Sequence, residues 1–286
     1  MTSASHGGDD RVTVVVATRN RWADLRSSLP RHEAPVILVD NGSDDDTPAR
    51  VREQFPDVRV VELPVNQGAV ARNIGVLLAR TPYVAFADDD SWWAPGALEA
   101  AADHFDGAPR LGVLAGHMLV GEQETTDPTS EQMAAAPLGR DDDLPGPSVL
   151  GFMACGAVVR RKAFLDAGGF DDVVFFRGEE QRLALDLLTQ GWGMAYVDSV
   201  VAHHHPSPQR ERSAGAVLAA RNDLLTAMMR RPWPVVASAM VSTLERGPVG
   251  RRAVAHALLR SPRALRRRRP LPGPVERTRR LLDQPH

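Results

Sequence analysis

From Val12 to Ala87 the chain alternates apolar runs with amphipathic stretches. Val12 to Ala17, Val36 to Val39, Val58 to Leu63 and Tyr83 to Ala87 are short and rich in valine. The continuous run Val12 to Ala17 predicts a strand buried on both faces and Val36 to Val39 a second buried strand, with Val58 to Leu63 and Tyr83 to Ala87 as the third and fourth. Between them, Trp22 to Leu29, Thr47 to Phe55 and Ala69 to Ala79 read as helices. Pro30 stops the first, and Pro48 sits in the first turn of the second behind Asp46 or Thr47 as cap. Strands alternating with helices predict an α/β fold, a parallel sheet covered on both faces.

The pattern continues less regularly. Pro95 to Phe105 reads as a helix, Leu111 to Val120 and Ala154 to Val159 as strands, and Arg161 to Ala167 as a short helix ended by Gly168-Gly169. Glu179 to Gln190 is amphipathic, with Leu183, Leu187 and Leu188 on one side and Gly191 at its end. Tyr196 to Ala202 is the last strand, and Ala214 to Met229 is a helix. Gly121 to Pro147, polar, acidic and rich in Pro and Gly, predicts a mobile surface loop. After Pro232, apolar stretches alternate with arginine clusters. The expected organisation is a disordered polar N-terminus (1–10), an α/β domain (11–230) and a helical, arginine-rich extension (231–286).

Composition narrows the function classes. At 43% hydrophobic residues the chain can bury a sizeable core. A net charge of −2 gives no global field for nucleic acid. The single cysteine, Cys155, excludes a disulfide framework. No stretch resembles a signal peptide or is apolar enough to span a bilayer. The expected location is the cytoplasm, or the cytoplasmic face of the membrane. There Arg251-Arg252 and Arg266 to Arg269, interleaved with Ala, Leu and Val, either lie on an anionic surface or form a solvated tail.

Ligands of parallel sheets bind at the carboxyl ends of the strands. Thr18-Arg19-Asn20, Asp40-Asn41-Gly42-Ser43 and Asp88-Asp89-Asp90 fall there together. Asp88 and Asp90, two apart at a strand end, can converge on a hard cation such as Mg²⁺ or Mn²⁺. Asp89 points the other way and should tolerate substitution best. Asp40 either accepts from a nucleoside or closes an Asx-turn. Asn66-Gln67-Gly68 opens a helix whose first turn carries Arg72, a basic residue opposing the helix dipole and suited to an anion. Glu179-Glu180 starts a helix, either as ordinary N-terminal acids or as a general base. In His203-His204-His205 alternation sends 203 and 205 to one side, and a single imidazole can join carboxylates on Mn²⁺. Trp92 and Trp93 either stack on a sugar or pack beneath the loop. Phe152 and Cys155 read as packing residues near the acceptor side.

As a set, these motifs resemble the family 2 inverting glycosyltransferases of GT-A fold. The similarity lies in Val14 to Asn20 with Trp22, Val39 to Asp45, Asn66 to Gly75, Ala87 to Asp90, and Ala167 to Asp171 followed by Gly178-Glu179-Glu180. It implies a Rossmann-like, mixed but mainly parallel sheet flanked by helices. It implies a nucleoside-diphosphate sugar donor, UDP- or dTDP-linked, held by Ala17, Thr18, Arg19, Asp40, Asn66, Arg72, Asp88 and Asp89. It further implies a metal on Asp88 and Asp90 with His203, or its rival His205, and Glu180 as base with Glu179 as alternative. Trp92, Trp93 and Phe152 would lie toward the acceptor, which is a sugar, a lipid-linked sugar or a small molecule. A sugar-1-phosphate nucleotidyltransferase also fits a parallel sheet with metal-binding carboxylates. Thr18-Arg19-Asn20-Arg21, however, lacks the glycine-rich loop expected there. A non-catalytic relic fits the intact acids poorly.

Overall fold

The computed structural model describes residues 9–206 and 212–283. Residues 1–8, most of the expected disordered N-terminus, lie outside them. The strands are β1 (Val12–Thr18), β2 (Val36–Asp40), β3 (Arg59–Glu62), β4 (Tyr83–Ala87), β5 (Ser91–Trp93), β6 (Leu111–Val120), β7 (Thr125–Thr126), β8 (Ala157–Arg160) and β9 (Gly193–His204). They form one sheet in the order β3-β2-β1-β4-β8-β6-β9-β5, with β7 beside β6. The first four strands are parallel, as expected. Beyond them the sheet is mixed, because β8 enters antiparallel between β4 and β6.

The helices are α1 (Trp22–Ser28), α2 (Thr47–Gln54), α3 (Val70–Leu78), α4 (Ala97–Gly107), α5 (Pro128–Ala134), α6 (Arg161–Asp166), α7 (Glu179–Thr189), α8 (Arg212–Arg230), α9 (Trp233–Glu245), α10 (Pro248–Arg266) and α11 (Gly273–Leu281). Strand alternation sorts the core into two layers. Val15, Val84 and Phe86 pack with Phe164, Phe170 and Leu183 on one face. Val14, Val16 and Ala85 pack with Leu25, Leu98 and Phe105 on the other. Gly75 lets α3 lie close against β1, since a Cβ there would overlap the Val15 side chain. A third cluster joins Leu224, Leu225 and Met228 of α8 to Val254 and Ala257 of α10.

β3 ends the sheet as an edge strand, with Arg59 and Glu62 exposed. Its outward charges suit an edge that must not pair further. Residues 121–147 are not one surface loop. They contain β7 and α5, and Met133 and Leu144 are buried. The Asp127 carboxylate caps α5 by accepting from Thr129 N at 2.7 Å, and Pro128 follows it. That start signal was present in the sequence. Finally, Ser91 to Trp93 form a strand rather than a lead into α4, and β9 is longer than expected, reaching His204.

Candidate active site

β1, β2 and β4 end together, with Thr18 opposite Asp40 and Val16 opposite Ala87. A cleft of about 730 Å³ opens at this edge. Ala17, Thr18, Arg19, Asn66, Arg72, Asp88 and Asp89 line it, as the sequence placed them. Its far wall was missed: Phe175, Phe176 and Arg177 precede α7, while Leu218, Arg221 and Arg260 come from α8 and α10. Periodicity could not have found them, because the long connection from α6 to α7 folds across the cleft. Phe175 and Arg177 both adopt left-handed backbone, at φ 73° and 69°, a conformation that non-glycine residues hold only when their surroundings impose it. Here the imposing group is Asn222, buried on α8, whose Nδ2 donates to the carbonyls of Phe176 and Arg177 at 2.6 and 2.5 Å. Ala69 N donates to the Phe175 carbonyl at 2.7 Å. Gly68, at φ 62°, leaves room for that approach, because a Cβ would meet Phe175.

The cleft presents Arg19, Arg21, Arg72, Arg177, Arg221 and Arg260 against two aspartates. Guanidinium forks match phosphate oxygens, so the wall suits a polyanionic ligand. Arg72 is buried, and its Nη2 donates to Asp88 Oδ1 at 2.6 Å while Nη1 lies 3.7 Å from Glu179 Oε1. Burial works against its charge, but Asp88, Glu179 and Glu180 outweigh that and raise its pKa.

The aspartate and histidine runs meet through β5 and β9. Ser91 pairs with His204, Trp92 with His203 and Trp93 with Ala202. His205 N donates to the Asp90 carbonyl at 2.9 Å. In this register His204 faces the site, with Nε2 3.3 Å from Asp90 Oδ1. His203, the expected metal ligand, instead stacks on Trp92 and sits 3.0 Å from Glu124. His205 lies against the Trp92 ring. Alternation was read correctly; the side facing the aspartates was not. Asp88, Cys155 and His204 each bring one donor atom within 4.8 Å of the others. His204 Nε2 is buried without a hydrogen-bond partner. Carboxylates beside an unbonded buried imidazole nitrogen fit a divalent cation.

Glu179 and Glu180 start α7 after Gly178. Glu179 is sealed at 2% exposure, with Oε2 unpartnered. Glu180 is less enclosed and accepts from Ala154 N at 3.4 Å. Burial pushes both carboxyls above their ordinary range, helped for Glu179 by the charge of Glu180. Burial and then the charge of Asp88 likewise push the Cys155 thiol up.

Other expected contacts fall elsewhere. Asp40 is buried and closes its own turn, accepting from Ser43 N at 2.9 Å and from the Ser43 hydroxyl. These bonds reach three residues on, one further than an Asx-turn, and likewise tie the carboxylate to its own loop. Asp89, expected to point away, is buried at the cleft and accepts from Thr18 Oγ1 at 3.1 Å, while its carbonyl accepts from Ser28 Oγ at 2.7 Å. Trp93 and Phe152 are core residues rather than acceptor contacts, and Trp93 Nε1 donates to the Phe86 carbonyl. Trp92 lies beneath the Arg31 guanidinium, 4.0 Å from its ring centre.

Residues 13–168 match the model of glycosyl transferase family 2. The chain belongs to this family. It is a glycosyltransferase, with a mixed sheet and flanking helices similar to those of GT-A structures and a helical C-terminal part. N-acetylglucosaminyl-diphospho-decaprenol L-rhamnosyltransferase of Mycobacterium tuberculosis is 31% identical over 220 residues, covering 65% of this glycosyltransferase and 71% of that protein. Pre-mycofactocin glycosyltransferase of the same organism is 31% identical over 214 residues, covering 70% of this chain and 44% of the relative. Among solved structures, mannosyltransferase PcManGT from Pyrobaculum calidifontis, in complex with GDP-Man and Mn²⁺, has a TM-score of 0.59 at 22% identity. That likeness covers 96% of this chain and 74% of the other. TarS from S. aureus, in complex with UDP-GlcNAc, has a TM-score of 0.59 at 17% identity, covering 87% and 72%.

Proposed function

We propose that this glycosyltransferase moves a sugar from a UDP- or dTDP-linked donor to a hydroxyl of a lipid-linked or small-molecule acceptor, inverting the anomeric centre. One observation carries the reading: Arg72 bridges Asp88, at the arginine-lined cleft, to Glu179 at the start of α7. A single buried guanidinium thus couples an anion-binding wall to a pair of carboxyls with raised pKa. The names of both Mycobacterium tuberculosis relatives support the acceptor class, and the solved complexes support the donor class and a divalent cation.

In this mechanism Arg72 and the arginines of the far wall hold the diphosphate. Thr18 and Asn66 flank the nucleoside, and Asp89 props Thr18. Asp88, Asp90 and His204 would hold the cation, which would supply charge neutralisation at the leaving diphosphate. Glu180 takes the proton of the acceptor hydroxyl as its oxygen bonds to the sugar C1. The C1–O bond to the diphosphate breaks with its electron pair, and nucleoside diphosphate departs. Glu179, sealed beside Arg72, does not meet the acceptor.

The test is a panel of nucleotide sugars with Mn²⁺ and candidate acceptors, following free nucleoside diphosphate. Acceptor-dependent release that chelation abolishes is expected. Pyrophosphate release, or no turnover with any donor, would overturn the reading.

A lipid-linked acceptor calls for contact with a membrane surface. Among the described residues no helix is long and apolar enough to cross one. α10 supplies a surface instead. Its sequence contains no acidic residue, Leu258, Leu259 and Leu265 are exposed, and Arg251, Arg252, Arg263 and Arg266 are exposed among them. Exposed leucines interleaved with arginines suit an anionic interface. Other arginines of the extension are held by the protein: Arg231 bonds Glu276 at 2.7 Å, and Arg268 donates to the Met228 carbonyl. The full chain is expected to co-sediment with anionic vesicles at low salt and to lose binding at high salt. Replacing Leu258 and Leu259 with Ser should weaken sedimentation. Equal recovery with neutral vesicles, or none with anionic ones, would exclude this contact.

A further inference from the structure

Cys155 has no part in the transfer mechanism, yet it stands at its centre. It lies in the tight turn 154–156 that leads into β8, and that turn packs against β4, β5, β6 and β9. The turn's own Ala154 N donates to Glu180. The Cys155 sulfur, one Asp88 oxygen and one His204 ring nitrogen lie within 4.8 Å of one another. Asp90 adds a further carboxylate 3.3 Å from His204 Nε2. These donors come from three separate stretches of chain that the sheet brings together.

We propose that Cys155 is a thiolate ligand of the cation site, completing an oxygen, nitrogen and sulfur donor set that takes zinc or cobalt in preference to magnesium. The inference rests on the reading of Asp88, Asp90 and His204 as that site. Carboxylates alone suit hard cations such as magnesium or manganese, whereas imidazole and thiolate favour zinc and its analogue cobalt. Zinc bonds of about 2.0–2.3 Å place tetrahedral ligand atoms roughly 3.5 Å apart. The three donor atoms all fall within 4.8 Å of one another, so converging on one ion calls for side-chain rotation rather than movement of the strands. Binding forms a sulfur–metal bond and releases the thiol proton to solvent; no electron is transferred. The buried His204 Nε2, which lacks a hydrogen bond and faces Asp90 Oδ1 at 3.3 Å, is the second sign that a ligand belongs there.

Cobalt reports on this directly. The metal-free full chain, titrated with Co²⁺, is expected to show visible ligand-field bands and a near-ultraviolet thiolate-to-cobalt charge-transfer band. Cys155→Ser and Cys155→Ala should keep the visible bands and lose the near-ultraviolet one. Circular dichroism would establish that both variants fold. Loss of an outer-shell partner alone commonly weakens metal binding about 10–100-fold. The two variants should therefore bind Zn²⁺ at least about tenfold more weakly, with a smaller change for Mn²⁺. Cobalt bound without a charge-transfer band, or a band unchanged in the variants, would overturn the role of Cys155 and leave the cation reading standing. If neither Co²⁺ nor Mn²⁺ binds the wild-type chain, the cation reading fails and this inference with it.

Discussion

Glu180→Gln is expected to lower turnover by about 10²–10⁴-fold while nucleotide affinity changes little, since general-base catalysis contributes on that scale. The amide keeps the size of the side chain but cannot take a proton. It can still accept from Ala154 N, so the turn 154–156 should stay in place. Thermal stabilisation by nucleoside diphosphate with Mn²⁺ measures the retained affinity. Turnover with the best donor measures the lost step. Full activity in this variant would remove Glu180 from the mechanism. Glu179→Gln, at a position sealed from the acceptor, should cost much less.

The wild-type pH profile carries the same signature. A base must be ionised, and burial raises the pKa of both carboxyls. Activity should therefore fall on acidification at a pH above the ordinary glutamate range, and this acid limb should vanish in Glu180→Gln. The effect on stability has the opposite sign. Between the ordinary and the raised pKa the folded state binds more protons than the unfolded chain. The contribution of these two groups is thus present below the ordinary value and is lost as pH rises through the raised one.

Arg72→Ala is the second large effect, and it falls on stability as well as activity. Arg72, Asp88 and Glu179 form a buried ionic group. Removing one partner of a buried pair commonly costs about 3–5 kcal/mol, because the remaining charge is left uncompensated. Part of that cost is relieved if Glu179 takes up a proton. Burial already lifts the Glu179 pKa to about 8, so adding Glu179→Gln to Arg72→Ala should recover stability at alkaline pH, a coupling that urea unfolding of both would expose. Arg72→Lys keeps the charge but not the fork, so it should protect stability better than transfer. Unfolding midpoints for Arg72→Ala equal to wild type would contradict this account.

Much of this site was legible because strand ends announce themselves. Apolar runs ending in Thr18 and Asp88 located the edge of a parallel sheet, and the helix opening at Gly68 located Arg72. Long-range pairing was not legible. β5 is three residues long, too short for any period, and only its pairing with β9 reveals it. That pairing chose His204 over its neighbours. The far wall needed the left-handed backbone at Phe175 and Arg177, which neither residue type suggests. For Trp93, directly after the aspartates, burial selects packing over stacking on a sugar, and Phe152, read as a packing residue near the acceptor, is likewise core. For α5, the Asp127-Pro128 start signal was outweighed by the loop-like composition around it.

The pairing of β5 with β9 has a consequence for how this site can change. Three consecutive histidines lie at the end of β9, and strand register decides which imidazole meets Asp90. Side chains alternate along a strand, so a slip of one residue would turn His204 away and present a neighbour. A single insertion or deletion in the irregular stretch of β9 near Val197–Val201 would therefore bring a neighbouring imidazole to Asp90 in place of His204. The histidine run gives the site a reserve against indels, a tolerance that substitution experiments at one position would not reveal.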